Sequence, residues 1–80
     1  MGAVLIQKTA LLTAGDGLRV DILLSDTSDI ESAAEGVRSI VTIPAMGENP
    51  GIDSIRLRAL RRAQQLIQQC IDELSPRASA

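Results

Sequence analysis

The chain has no phenylalanine, tyrosine, tryptophan or histidine, and one cysteine, among its 80 residues. Without aromatics, the side chains that bury the most area each, the core must be built from Leu, Ile, Val and Ala. Their absence also leaves nothing to stack on unpaired bases. Without histidine the usual general base near neutral pH and the commonest metal ligand are gone. A single cysteine cannot rescue a zinc site. Cys70 cannot form an intrachain disulfide and is read as a small core hydrophobe. No apolar run approaches membrane-spanning length. The opening Ala3-Val4-Leu5-Ile6 stretch is too short for a signal peptide and follows no basic segment. Gly2 does not fit a myristoylation site, because position 6 is Ile6. The expectation is a soluble, cytoplasmic protein with no metal, no cofactor and no membrane contact.

The length allows one domain. A core in a chain of about this size or smaller rarely supplies much net stability by itself. With no disulfide framework, oligomerisation is the remaining common remedy. The formal net charge is −2, unevenly spread. Residues 1–49 carry three cations against seven acids, and residues 50–80 carry five arginines against three acids. Halves of opposite sign suit self-association or intramolecular pairing.

What is present is organised around the stretch from Ile52 to Leu74. Ile52, Ile55, Ala59, Ala63, Leu66, Ile67, Cys70 and Leu74 recur at steps that place them on one face of an α-helix, and Leu60 and Ile71 widen that face. At ~1.5 Å per residue the helix is about 33 Å long, too long for so small a protein unless the rest serves as its platform. Two starts are open: Asn49 as N-cap with Pro50 at the first position, or Asp53 followed by Ser54. Pro76 predicts a stop after Leu74, leaving residues 75–80 as a disordered tail to a domain spanning 1–74. Arg56, Arg58, Arg61 and Arg62 crowd the first half, while Asp72 and Glu73 sit near the end, opposing the helix dipole. An antiparallel copy of the same helix would offset this. Arg56 falls within the apolar arc and is expected to project past the packed region on a buried stem.

Upstream, residues 3–14 and 18–25 read as a β-hairpin. Leu18, Val20, Ile22 and Leu24 alternate with polar residues on the second strand. A two-residue Asp16-Gly17 loop and a three-residue Gly15-Asp16-Gly17 loop are both possible. The three-residue loop is preferred, because it gathers more apolar side chains on one face and ends on a glycine. It places Leu5, Leu11 and Leu23 on the opposite face as a second candidate contact surface. Ser28 and Glu31 match a capping box, which predicts a short helix over residues 29–35 ending at Gly36. Residues 37–43 read as a third strand, ended by Pro44 and partly covered on both faces. The fold class is therefore α+β: a small antiparallel or mixed three-stranded sheet, a short helix and one long C-terminal helix.

The inventory argues against catalysis. Gly15-Asp16-Gly17 lacks the lysine and the following helix of a phosphate loop, and Ser and Thr have no evident activating base. The reading is a non-enzymatic protein-interaction module, either an assembly subunit, an adaptor or an inhibitor. It would bind itself, another protein or both through Arg56, Arg58, Arg61, Arg62 and the Leu5, Leu11, Leu23 face. The alternative is a nucleic-acid-binding regulator that uses the arginines against phosphates.

Overall fold

The computed structural model describes residues 4–26, 35–45, 47 and 50–78. Three strands, β1 (Leu5–Ala14), β2 (Gly17–Ser25) and β3 (Gly36–Pro44), precede one long helix, α1 (Ile52–Ala78). The strands form an antiparallel sheet in the order β1-β2-β3. The class is α+β, and the third strand lies beside β2. Most of the short helix expected over residues 29–35 lies outside the described residues. Glu35, which is described, is not helical, and its carbonyl accepts a hydrogen bond from the Asp26 N–H at 3.3 Å.

The hairpin corrects the expected register. Its loop is the two-residue Gly15-Asp16, with Gly15 at φ +60°. Two-residue hairpin turns require a left-handed first residue, so the first glycine, not the second, makes the turn. Gly17 belongs to β2 for another reason. A Cβ there would stand 2.7 Å from the Ile43 carbonyl oxygen and 3.2 Å from the Thr42 side chain. Val20 therefore pairs with Leu11, and Ile22 with Thr9, rather than with Leu12 and Ala10. A slip of one residue exchanges the faces of a whole strand. Leu11 moves to the side of the core, while Leu12 joins Arg19, Asp21 and Leu23 on the other side. Farther along, the register shifts between Ile6 and Lys8, leaving Gln7 as the extra residue of a β-bulge. The Gln7 side-chain amide donates to Ser25 Oγ at 2.7 Å.

The core is one layer between the sheet and α1. Val20, Ile22, Val41 and Ile43 supply the sheet side, Ile55 and Ala59 the helix side, with Leu18, Leu24, Leu60 and Ala63 packed around them. α1 lies over β2 and β3. Its tie to β1 is Arg56, whose Nε donates to Thr9 Oγ1 at 3.0 Å while Nη1 reaches Asp53 Oδ1 at 3.2 Å. Arg56 is thus half-buried and engaged, rather than projecting past the packed region.

Both expected helix ends are corrected. The first intrahelical bond runs from the Ile55 N–H to the Gly51 carbonyl at 3.1 Å, which makes Gly51 the residue before the first turn. Asn49 lies outside the described residues. At the other end the helix passes through Pro76 to Ala78. Proline removes one ladder donor and crowds the carbonyl four residues back, that of Asp72, but only two helical residues follow it, so a single bond near the end of the ladder is lost. Ser75 Oγ donates to the Ile71 carbonyl at 2.7 Å within that turn. The extension brings Arg77 into the last turn and Asp53 lies in the first, and both placements favour the dipole.

Two substitutions test this packing. Gly17→Ala drives a methyl group into the β3 backbone and should destabilise by ~1–3 kcal/mol, lowering Tm by several degrees in a thermal melt. Ser39 lies on the core side opposite Ile22, and its hydroxyl is buried with no hydrogen-bond partner among the described residues. Ser39→Val removes that group and suits a strand, so it should raise Tm.

Candidate interaction surfaces

The sheet covers only the beginning of α1. Ile55 and Ala59 are 5% and 0% exposed, whereas Leu66, Ile67, Ile71 and Leu74 are 43%, 52%, 49% and 50% exposed. Cys70 is exposed as well, so its expected place in the core is corrected. At about 100° per residue Leu66, Cys70 and Leu74 continue the arc of Ile55, Ala59 and Ala63, while Ile67 and Ile71 flank the direction of Leu60. The apolar stripe is therefore continuous, but the sheet ends before the stripe does. The helix is about 40 Å long in a molecule whose longest extent is 48 Å. A shallow groove lined by Leu24, Val37, Leu60 and Ile67, among others, marks where the sheet gives out.

The arginines divide. Arg56 is bound to Thr9 and Asp53, as described above. Arg58, Arg61 and Arg62 line an open cleft with Thr42, Ile43 and Pro44 at the end of β3. Arg62 Nη1 donates to Gln65 Oε1 at 3.2 Å, and none of these three has an ion-pair partner among the described residues. The cleft is a cationic surface beside the core. The arginines stand out in the sequence, but nothing there indicates the cleft that three of them form with β3.

The outer face of the sheet is partly apolar. Leu12 is 61% exposed, Ile40 46% and Leu5 39%. Leu23, half-buried, shares this side. Of the three leucines expected here, Leu5 and Leu23 remain and Leu11 is exchanged for Leu12. Ile40 was missed, although its alternation with Val41 and Ile43 marks it as facing away from the core. At the centre Arg38 grips Asp21: Nε donates to Oδ1 at 3.1 Å and Nη2 to Oδ2 at 2.6 Å. That hydrogen bonding, aided by the charges of Arg38, Lys8 and Arg19, holds the Asp21 carboxyl below its ordinary value against a smaller opposing effect of desolvation.

Among the described residues no group of three His, Cys, Asp or Glu side chains is placed to hold a metal ion. No helix there is long and apolar enough to cross a membrane.

The lowered Asp21 value has a pH consequence. A carboxyl with a depressed folded pKa adds stability above its unfolded value, near ~3.9, and loses it as pH falls through the lower folded value. Asp21→Asn should therefore reduce the fall in Tm between about pH 4 and pH 2. Because the pair is exposed, the effect is small, and an acid limb identical to that of the parent would show that the Arg38 pair adds nothing.

Comparison of the chain with family models, curated proteins and solved structures finds no match.

Proposed function

We propose that this protein is a non-enzymatic protein-interaction module whose contact surface is the free half of α1. The observation that carries the reading is the continuation of the apolar stripe through Leu66, Ile67, Ile71 and Leu74 after the sheet has ended. A lone exposed leucine means little. Four half-exposed aliphatic side chains aligned on one helix face make a contiguous patch. Covering the exposed half of each contributes about 1 kcal/mol, enough in sum to support a modest complex. The helix-in-groove mode of recognition uses this spacing of anchors. The outer sheet face, with Leu5, Leu12, Leu23 and Ile40, is a second surface of the same kind.

The arginine-lined cleft favours a second reading, in which Arg58, Arg61 and Arg62 contact nucleic-acid phosphates. Their lack of ion-pair partners among the described residues supports it, and the overall negative charge opposes it. Fluorescence anisotropy with labelled duplex and single-stranded oligonucleotides at low salt separates the two. The interaction-module reading expects no binding. Tight binding that weakens steeply as salt rises would favour the nucleic-acid reading.

The variant Ile67→Gln/Ile71→Gln/Leu74→Gln tests the main reading. These positions lie outside the buried core, so the variant should keep the circular-dichroism signal of the sheet and the first turns of α1. It should lose the protein contacts that the parent makes, whether with itself in light scattering or with proteins of a host extract in pull-down. Equal retention of those contacts by parent and variant would show that α1 is not the contact surface.

A further inference from the structure

We infer that the free half of α1 pairs with the same segment of a second copy of this chain, antiparallel and centred near Cys70. The inference rests on the reading above and names its partner. The first argument is steric. The sheet sits on the side of α1 that carries Ile55, Ala59, Leu60 and Ala63, and the free side chains continue within that same broad face. A parallel partner would put its own sheet at the same level, in the space already filled by the first. An antiparallel partner puts its sheet near the far end of the helix, away from the first sheet.

The second argument is self-complementarity. The uncovered apolar residues begin at Leu66 and end at Leu74, so the segment laid antiparallel on itself is centred on Cys70. Leu66 then faces Leu74 of the copy, and Leu74 faces Leu66. The small Cys70 side chain at the centre lets the two backbones approach closely.

The third argument is charge. Between Arg62 and Asp72 the polar positions are Gln64, Gln65, Gln68 and Gln69, so neutral side chains flank the seam and no like charges meet there. Within one helix Arg62 and Glu73 are about 16 Å apart along the axis, whereas between antiparallel copies centred on Cys70 that separation falls to about 8 Å. The two dipoles also run in opposite directions, which brings the negative end of each helix towards the arginines of the other. Arg77 runs against this pattern, since it falls about 1.5 Å along the axis from Arg62 of the copy, but it lies four residues after Glu73 on its own helix, a spacing that allows intrahelical pairing. The contact is well below the ~800 Å² per partner of a standard interface, so dissociation is expected in the micromolar range.

The full chain tests this in two steps. Light scattering or sedimentation equilibrium of the unmodified protein should show a monomer–dimer transition, and Ile67→Gln/Leu74→Gln should raise its dissociation constant by about 100-fold or more. A parent that stays monomeric up to millimolar concentration overturns the second copy as occupant. The interaction-module reading would then still stand if a heterologous contact were lost in the triple glutamine variant. Orientation is read by crosslinking in a Cys70→Ser background. Leu66→Cys mixed with Leu74→Cys should give disulfide-linked dimers on mild oxidation, and each protein alone should give few. Efficient linkage of Leu66→Cys to itself would mean a parallel pair and overturn the inference, as would a dimer in which the mixed pair fails to link. The unmodified protein gives an independent check: its dimer should oxidise at Cys70, and a dimer whose Cys70 thiols stay unlinked contradicts the stated centre.

Discussion

Ile55 and Ala59 seat the helix on Val20, Ile22, Val41 and Ile43, and the position of that contact along α1 governs the rest of the molecule. The contact lies in the first turns of a helix of 27 residues. Because Ala59 presents only a methyl group, the helix can lie close over β2 and β3. Aliphatic side chains alone fill the space, since the chain has no aromatic ring to widen it. The layer is thin, and it ends near Ala63. Beyond that point helix propensity and local pairs, such as Gln68 with Asp72 at 2.9 Å, are what hold the helix. Such contributions are a few tenths of a kcal/mol each, and most helical stability in proteins comes from packing of an amphipathic face.

The same constraint orders the surfaces. The covered part of the stripe makes the fold, and the uncovered part is the surface proposed for contact with another molecule. Arg56 shows the division at the scale of one side chain. It lies on the apolar arc where the helix passes the sheet, and it reaches β1, the strand that α1 does not cover, through Thr9. The arginines on the other sides of the helix line the cleft at the end of β3 instead. One helix therefore serves as core element, cross-sheet tie, cationic wall and free apolar face, according to where along it and on which side a residue falls.

Much of this was legible in the residues, and the gaps have physical causes. The alternation of Leu18, Val20, Ile22 and Leu24 marked β2, and the spacing from Ile52 onward marked α1, because both patterns are dictated by burial on one face. The hairpin register was not legible from the glycines. Gly15 and Gly17 look equivalent in sequence, but one is demanded by a left-handed turn and the other by the approach of β3, a strand far along the chain. That ambiguity moved one residue of register and exchanged Leu11 for Leu12 on the outer face. The helix stop was misplaced because Pro76 removes a single bond, to the Asp72 carbonyl, with only two helical residues after it. Strand order was open because nothing local in β3 specifies which hairpin strand it joins. The candidate contact residues named on the helix were the arginines, and Cys70 was expected in the core. Periodicity reports which residues share a face. It does not report how far the covering layer extends.

The sheet covers α1 only as far as about Ala63, and the proposal is that a second molecule covers the remainder. Amide hydrogen exchange resolved along α1, measured over a range of protein concentration, tests it most directly. In dilute solution, amides from Ile55 to Ala63 should be protected and those beyond Leu66 should exchange rapidly. As concentration rises, protection should spread to the later turns, with the same midpoint as association. Strong, concentration-independent protection along the whole of α1 in a demonstrated monomer would contradict the account.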